Sequence, residues 1–283
     1  MSRPEHDPAL DTLVIGHVSA DREGSHIRLG GTAAYAGLTA HALGRHVGVV
    51  TSAGRELDLS ALAGLSVMVI PSATSTVFEN RETEHGRRQT LLSRAAAIPY
   101  EAVPAAWRRA GLVHLAPIAA ELDTEIVNSF PGSFLGLTAQ GWLRSWGPDG
   151  TVIPSGLTHA LPACARADAV VVSLEDLGGR EGDVLELAAR CRLLAVTLGQ
   201  NGVRVFTRGS EHHLPAPPAT EIDPTGAGDI FAAAFFHSLR TGAEPREAAR
   251  FAQQFAAPSV SRRGLAAVPS AEEARRSPHP VPP

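Results

Sequence analysis

Short runs of apolar residues alternate with helix-like segments along most of the chain. The runs typical of buried strands are residues 10–16, 47–51, 66–70, 113–116, 134–137, 169–173, 193–197 and 203–207. The segments typical of helices are residues 32–43, 104–110, 121–129 and 182–190. Continuous apolar strands alternating with helices predict a mostly parallel sheet that is covered on both faces, which is an α/β fold.

One stretch departs from this alternation. Residues 75–81 and 87–93 are extended segments with β-branched or polar residues, and they flank a polar turn at 82–86. This pattern predicts a hairpin. Because its many charges do not suit a core buried on both faces, we expect a lid beside the main sheet. The lid is expected to consist of two segments, residues from about 21 to 30 and residues 75–95. The first segment is expected to add a strand to the hairpin.

Length and composition limit the class of protein. The 283 residues, 44% hydrophobic and 19% charged, fit one globular domain spanning 1–283. A segment rich in proline and charge, 270–283, is expected to be a flexible tail. The net charge of −4 offers no basic surface for nucleic acid.

No targeting or membrane signal is expected. The polar residues 1–11 contain no apolar signal region, and no apolar stretch reaches membrane-spanning length. Cys164 and Cys191 are too few for a disulfide scaffold or a zinc cluster. We therefore expect a cytoplasmic protein without a membrane partner.

The chain contains no lysine, since all 25 of its Lys and Arg residues are arginine. A Walker P-loop needs its lysine, and a protein-kinase core needs the strand lysine that holds the phosphates. Both designs are excluded, so any phosphoryl transfer by this chain uses other groups.

The run from Asp223 to Phe231 joins turn-forming residues and glycines directly to an apolar segment of helical spacing. A glycine-rich turn that feeds a helix N-terminus suits an anion, because unpaired N–H groups and the helix dipole meet there. Asp229 would then lie beside the anion, where it could take a proton from an attacking hydroxyl. Alternatively, the glycines only make a tight turn and Asp229 only caps the helix.

Two further segments could belong to the same site. Gly30 and Gly31 precede the helix-like segment 32–43, and Asp21 follows the end of a strand. Ligands of open α/β sheets collect beyond the carboxyl ends of the strands. Asp21 could therefore bind a polyhydroxylated substrate, or it could be an ordinary turn aspartate. The glycine-spaced turn from Thr197 to Gly202 is by itself a weak signal of a hairpin.

Taken in order, these segments resemble the ribokinase (PfkB) family of small-molecule kinases over nearly the whole chain. Gly30-Gly31 is similar to the N-terminal glycine motif of the family, and the run Asp223 to Asp229 is similar to its C-terminal signature. The motif Thr-x-Gly-x-x-Gly, at residues 197–202, lies upstream of this run, as it does in members of the family. The resemblance implies a doubly wound α/β core with a small β lid, and ATP-dependent phosphorylation of a sugar, polyol, cyclitol or nucleoside.

The resemblance also implies a role for each matching residue. Asp229 corresponds to the general base, and the amides of Gly226, Ala227 and Gly228 correspond to an anion hole for the transferred group. The implied substrate-binding residues are Asp21, Gly30, Gly31, Tyr35, Gln140 and Arg144. The implied nucleotide-binding residues are Ser173, Thr197, Gly199, Gly202, Thr225 and Gln253.

Two ions follow from the same resemblance. The family uses a Mg²⁺–nucleotide complex with few direct bonds from protein to metal, and Asp176 corresponds to a carboxylate that contacts the metal through water. Asp223 and Thr225 match positions that form a monovalent-cation loop, for example for K⁺, in some members.

Several residues depart from the pattern of the family. Ser173 and Asp176 replace the asparagine and glutamate of an Asn-x-x-Glu motif, and the carboxylate has a shorter reach. Tyr35 replaces an asparagine of ribokinase itself, which puts ribose specificity in doubt. Gln140 and Arg144 lie where an aspartate-rich segment is usual, although Arg144 can still bind phosphate bidentately.

Three classes of function remain open at this point. The leading one is an ATP-dependent kinase, monomeric or homodimeric, whose acceptor the sequence does not identify. The second is a non-catalytic nucleotide- or sugar-binding relative, which the altered motif at Ser173 favours and the intact Asp229 disfavours. The third is a dinucleotide-dependent oxidoreductase, which is disfavoured because no GxGxxG fingerprint follows the first strand.

Overall fold

The computed structural model describes residues 10–24, 26–83 and 86–277. The polar residues 1–9, positions 84 and 85 of the predicted hairpin turn, and residues 278–283 of the expected tail lie outside the described residues. The strands are β1 (Thr12–Ile15), β2 (Ser19–Glu23), β3 (His26–Gly30), β4 (Val47–Ala53), β5 (Ser66–Pro71), β6 (Thr76–Thr83), β7 (Gly86–Ser93), β8 (Leu112–Leu115), β9 (Phe134–Thr138), β10 (Arg144–Trp146), β11 (Val152–Pro154), β12 (Ala169–Ser173), β13 (Leu194–Thr197), β14 (Val203–Thr207) and β15 (Ser210–Leu214). The α-helices are α1 (Thr32–Ala42), α2 (Leu161–Arg166), α3 (Glu181–Arg190), α4 (Ala227–Arg240), α5 (Pro245–Ser259) and α6 (Ala271–Arg276).

A nine-stranded sheet forms the centre of the molecule, in the order β15-β14-β13-β12-β9-β8-β1-β4-β5. The strands from β13 to β5 are parallel to their neighbours, and β14 and β15 complete one edge in antiparallel pairing. Each of the eight apolar runs of the sequence contributes a strand to this sheet. The prediction of a mostly parallel α/β sheet is therefore confirmed.

Helices cover both faces of the sheet, as the continuous apolar strands require. In β12, Val170 and Val172 pack on the face that also buries Val184 and Leu187 of α3. Val171 points to the opposite face and joins the cluster of α4 and α5. Alternate side chains of one strand thus enter two different cores, and the core that contains α4 and α5 holds α4 in a fixed position relative to the strand ends.

The lid is a separate four-stranded sheet in the order β3-β2-β6-β7. The predicted hairpin is β6 paired with β7. The segment 21–30, expected to add one strand, instead supplies most of the two antiparallel strands β2 and β3. The chain reverses between them at Gly24, whose φ is +59°.

A second small hairpin was missing from the sequence prediction. Strands β10 and β11 pair antiparallel, and this hairpin contacts the lid. The amide of Leu91 in β7 donates to the carbonyl oxygen of Gly150 at 2.9 Å. Arg88 of β7 also donates to the hydroxyl of Thr151 at 2.6 Å. The lid is therefore tied to the segment that begins with Arg144.

Two predicted helices are shorter than expected. Residues 104–110 contain only the 3-10 helix Trp107–Arg109, and residues 121–129 contain only the 3-10 helix Thr124–Asn128. Each segment is followed within a few residues by a strand that must pair in the main sheet, β8 or β9. Little length is left for an α-helix.

The segment expected to be a flexible tail begins differently. Residues 271–276 form α6, which starts with a capping box: the Ser270 hydroxyl accepts from the Glu273 amide, and the Glu273 carboxylate accepts from the Ser270 amide. Ala274 of this helix is buried. Within the described ranges, every helix falls short of the length and apolarity that crossing a bilayer demands.

Candidate active site

A cleft of about 1100 Å³ lies between the lid and the carboxyl ends of the parallel strands. The ends of β9, β12 and β13 contribute Thr138, Ser173 and Thr197 to its wall. The lid contributes residues of β2, β6 and β7, and the first turns of α1 and α4 close the floor. Ligand sites of open α/β sheets have this position.

Most of the residues singled out in the sequence meet in this cleft. The lining includes Asp21, Gly31, Tyr35, Gln140, Arg144, Ser173, Asp176, Thr197, Gly199, Gly202, Thr225, Gly226, Ala227, Gly228, Asp229 and Gln253. Two predicted residues do not line it. Asp223 lines a small adjoining pocket of about 10 Å³, and Gly30 lies behind Asp21.

Asp229 lies in the first turn of α4 and faces the first turn of α1. Its Oδ1 accepts a hydrogen bond from the buried Thr32 hydroxyl at 2.7 Å. Thr32 directly follows Gly31, so the two glycine motifs of the sequence meet through this contact. The bond fixes one oxygen of the carboxylate and leaves Oδ2 to face other groups.

The surroundings of Asp229 favour its protonated form. Its pKa is raised from 3.8 to about 7, and burial is the largest cause. The negative charges of Asp176 and Asp21 also act to raise it, whereas the Thr32 hydrogen bond and the charge of Arg144 act to lower it. A carboxyl group with a pKa near neutrality can both accept and release a proton under physiological conditions.

Gly226 allows the chain to turn tightly into the start of α4, against the Tyr35 ring. It lies in the left-handed region, with a φ of +83°, and a Cβ here would come within 2.4 Å of the Tyr35 ring. The first turn of α4 presents backbone N–H groups that have no helical partner. Of the three expected anion-hole amides, that of Ala227 donates to the Pro224 carbonyl at 3.2 Å.

Tyr35 is buried behind this turn, with 1% of its surface exposed. Burial raises the pKa of its phenol well above the usual range, and the charges of Asp21, Asp229 and Asp223 add to the effect. The hydroxyl therefore stays protonated. It can donate a hydrogen bond into the cleft but cannot act there as a base.

The glycine pair before α1 makes room for Asp21. A Cβ on Gly30 would come within 2.1 Å of Oδ2 of Asp21. Gly30 thus contributes by allowing the carboxylate to lie against its backbone, and Gly31 lines the cleft beside it.

Four residues form a hydrogen-bonded group on one wall of the cleft, which we name the Asp176 cluster: Gln140, Arg144, Ser173 and Asp176. Oδ1 of Asp176 accepts from Nε2 of Gln140 and from Nη2 of Arg144, both at 3.2 Å. Oδ2 accepts from the Ser173 hydroxyl at 2.7 Å and from the Ser173 amide at 3.1 Å. The Asp176 amide donates back to the Ser173 hydroxyl at 2.9 Å.

Another part of the cleft is built from the turn after β13 and from α5. The Leu198 amide donates to the Gly202 carbonyl at 2.8 Å and closes the turn that contains Gly199. Nε2 of the buried Gln253 donates to the carbonyl oxygens of Leu214 and Pro215, at 3.3 and 3.2 Å. Gln253 therefore anchors the chain after β15, and its Oε1 is the atom that could accept from a ligand.

The expected cation loop is held by backbone amides. Oδ1 of Asp223 accepts from the Thr225 amide at 3.0 Å, and Oδ2 accepts from the Gly264 amide at 3.2 Å. In the part of the chain that the structure describes, no group of three or more His, Cys, Asp or Glu side chains could hold a metal ion.

Sequence reasoning missed several residues of the cleft. Thr32 could have been suspected, because it is the first helical residue after the glycine pair. Phe78 and Gln89 of the lid also line the cleft. No sequence signal pointed to these two residues. Side chains of a strand alternate between the two faces of the lid sheet, and this alternation does not indicate which face covers the site.

Comparison with solved structures identifies the fold. The sulfate complex of a pyrophosphate-dependent kinase in the ribokinase family superimposes with a TM-score of 0.81, covering 93% of this chain and 99% of that one at 22% identity. Ribokinase of Arabidopsis thaliana, complexed with ribose and ATP, gives a TM-score of 0.71, covering 95% of this chain and 98% of that one at 19% identity. The fold is therefore that of the ribokinases.

Sequence comparison finds similarity to one family over part of the chain. Residues 165–272 match the sequence model described as pfkB family carbohydrate kinase. An inositol 3-kinase of Zea mays is 33% identical over 132 residues, which are 45% of this chain and 33% of that enzyme. The matched region thus spans about a third of that relative's length. Over these residues the chain is similar to pfkB family carbohydrate kinases, and the matches do not assign it to one subfamily.

Proposed function

We propose that the protein transfers a phosphoryl group from ATP to a hydroxyl of a sugar, cyclitol or nucleoside, with Asp229 as the general base. The observation that carries this proposal is the position of Asp229. Its carboxylate lies in the cleft at the N-terminus of α4, is held by Thr32, and has a pKa of about 7. A base near neutrality beside a helix N-terminus suits transfer to an alcohol.

The residues of the floor would divide the chemistry between them. Asp229 Oδ2 would take the hydroxyl proton of the acceptor as the acceptor oxygen attacks the terminal phosphorus of ATP, and the bond from that phosphorus to the bridging oxygen would break to release ADP. The backbone amides of residues 226–228 would stabilise the negative charge on the transferred group, and the Ala227 amide would exchange its bond to the Pro224 carbonyl for that group. Arg144 would add a positive charge on the facing wall.

The charge of the cleft bears on how the donor binds. Its acidic lining residues are Asp21, Glu175, Asp176, Glu181, Glu221 and Asp229, against the basic Arg144 and Arg204. Arg204 is already paired with Glu181 and Glu211. A bare polyphosphate would be repelled by such a lining. Mg²⁺ carried on the phosphates would supply the positive charge that the cleft lacks.

The residues around the cleft fit a nucleotide in size and position. The volume of about 1100 Å³ exceeds that of most small-ligand pockets. The turn with Thr197, Gly199 and Gly202 and the side chains of Ser173, Thr225 and Gln253 would bind ATP. Asp223 and Thr225 would form the loop for a monovalent cation such as K⁺.

The acceptor would bind between the lid and the floor. Asp21 on β2 would accept hydrogen bonds from its hydroxyl groups, and Tyr35 could donate one. Gln140 and Arg144 would contact it from the facing wall. The proteins similar to this chain include an inositol 3-kinase and a ribokinase complexed with ribose, and both support a polyhydroxylated small molecule as the acceptor.

One observation supports a second candidate, a non-catalytic binding protein with the same fold. The carboxylate of Asp176 is fully engaged by protein donors rather than open to a metal. Such a protein would bind nucleotide or sugar and consume neither.

A phosphoryl-acceptor screen distinguishes the two candidates. Purified protein is incubated with ATP and Mg²⁺, with and without K⁺, across sugars, cyclitols and nucleosides, and ADP is measured. We expect acceptor-dependent ADP formation that Asp229→Asn abolishes. Binding of ATP without turnover on any acceptor would support the non-catalytic candidate. Turnover with pyrophosphate but not with ATP would contradict the proposed donor.

A further inference from the structure

The carboxylate of Asp176 has no acceptor position left for an additional ligand. A carboxylate offers about four lone-pair positions. The Asp176 cluster supplies four donors, two to each oxygen. A magnesium-bound water would have to donate to one of these oxygens and displace a protein donor. This position therefore does not fit the water-mediated magnesium contact that the resemblance implied.

The contacts of Asp176 instead connect separate segments of the cleft wall. Ser173 is the last residue of β12 and is fixed by the central sheet. Gln140 lies in the turn after β9, and Arg144 begins β10, outside the central sheet. One carboxylate thus attaches both cleft-lining side chains to a rigid strand end.

The arrangement leaves Arg144 able to bind a ligand. Its guanidinium has about five N–H donors in a fixed plane, and the bond to Asp176 uses Nη2. The ion pair is largely buried, with 17% of the arginine side chain and 8% of the aspartate side chain exposed. An arginine that is already fixed loses less freedom when it binds an anion or a hydroxyl group.

We propose that Asp176 is a positioning residue that holds Gln140 and Arg144 in the cleft, and that it does not contact magnesium. What Arg144 then binds, a phosphate or the acceptor, rests on the function proposed above. The positions of the Gln140 and Arg144 side chains do not depend on that proposed function, so they can be tested in the ligand-free protein.

The first test is amide hydrogen exchange of the ligand-free protein. We expect Asp176→Asn to exchange about ten times faster than the wild type across residues 139–146, because the amide lacks the charge that holds Arg144 and sets its N–H donors against the donors of Ser173, which weakens the attachment to β12. Ser173→Ala, which removes one donor and keeps the charge, should give an intermediate rate. Glu175→Gln, which removes the neighbouring exposed carboxylate, should exchange like the wild type. Unchanged exchange of residues 139–146 in a folded Asp176→Asn protein would overturn the proposal.

Two further outcomes of the same measurement are decisive. Should Asp176→Asn fail to fold, the comparison of Ser173→Ala with the wild type replaces it, and equal rates would overturn the proposal. Adding magnesium chloride alone to the wild type should leave exchange at residues 173–178 unchanged. Protection there that Asp176→Asn abolishes would identify Asp176 as a metal contact instead.

The second test uses turnover and separates a positioning role from a metal contact. Asp176→Glu keeps the charge and makes the side chain longer by one methylene group. The longer side chain could still accept a hydrogen bond from a metal-bound water, but it could not accept hydrogen bonds from the same four protein donors. We expect about a tenfold higher KM for one substrate and no change in the Mg²⁺ concentration that gives half-maximal rate. In an Arg144→Ala background, Asp176→Asn should change the rate by less than about twofold further. Wild-type kinetics of Asp176→Glu, or fully multiplicative effects in the double variant, would overturn the proposal.

The two tests keep the proposals apart. If the wild type shows no turnover with any donor or acceptor, the proposed function fails. The exchange comparison still decides the role of Asp176.

Discussion

The hydroxyl of Thr32 donates to Oδ1 of Asp229 at 2.7 Å and joins the first turns of α1 and α4. These residues are 197 positions apart in the sequence. The contact has two consequences for a base: it orients the carboxylate, and it stabilises the charged form against the burial that raises its pKa. Both consequences can be measured.

Replacing Thr32 by valine removes this hydrogen bond while keeping nearly the same shape. The pKa of Asp229 should then rise above about 7, since one of the two groups that lower it is lost and Arg144 alone remains. A hydrogen bond to a charged group contributes about 1.5–3 kcal/mol, so we expect a shift of at least about one pH unit. The acidic limb of the kcat/KM profile should move to higher pH by that amount.

The matched control for this change is Thr32→Ser, which keeps the hydroxyl. Its pH profile should coincide with that of the wild type. A valine variant whose profile does not move would show that Thr32 does not act on the base.

Asp229 should lower the stability of the fold above neutral pH. Its pKa is raised by burial from 3.8 to about 7, so the folded state binds this proton more tightly than the unfolded state. Its contribution to stability is present below pH 4 and is lost as the pH rises through about 7. Because solvent in the open cleft moderates the effect, we expect Asp229→Asn to raise the free energy of unfolding by about 2 kcal/mol at pH 8.

Urea unfolding at a series of pH values measures this effect. The difference between Asp229→Asn and the wild type should shrink toward zero near pH 4. Glu175→Gln serves as the control for removing an exposed carboxylate from the cleft and should show a much smaller difference at pH 8. A stabilisation that is independent of pH would contradict the raised pKa.

Gly226 and Gly228 should respond differently to alanine, although both belong to the same motif. Gly226→Ala forces a left-handed alanine into the Tyr35 ring, and we expect a loss of about 2–4 kcal/mol in the free energy of unfolding. A Cβ on Gly228 meets no atom within 4 Å. Gly228→Ala should therefore be neutral or stabilising by up to about 1 kcal/mol.

Denaturant unfolding of the two variants at one pH gives the comparison directly. Equal stability of the two variants would mean that the close approach of Tyr35 to Gly226 does not constrain the turn.

The sequence predicted the central sheet well, and the reason is physical. Strands such as β12 are buried on both faces, so nearly all of their residues are apolar and differ clearly from the polar loops. Strands β2 and β15 contain mostly polar or charged residues, and β3 mixes apolar with charged ones; all three have exposed positions, so their signal in the sequence is weak. The helix α6 was missed although its capping box, from Ser270 to Glu273, is visible in the sequence.

The candidate site could be predicted where its residues are close together in the sequence. A glycine turn before a helix can be seen within seven residues, and this turn led to Asp229. The partner of Asp229 could not be found in this way, because Thr32 belongs to another helix. The engagement of Asp176 depends likewise on Gln140 and Arg144, which are more than thirty positions away.

The proposed catalytic role of Asp229 is tested most directly by the turnover and nucleotide binding of Asp229→Asn. With the acceptor found in the screen, we expect kcat to fall by about 10²–10⁴, because a general base is lost. Affinity for ATP, measured by calorimetry in the absence of acceptor, should stay within about threefold of the wild type. Full turnover of Asp229→Asn would contradict the assignment of the base, as would a loss of turnover that is matched by loss of ATP binding.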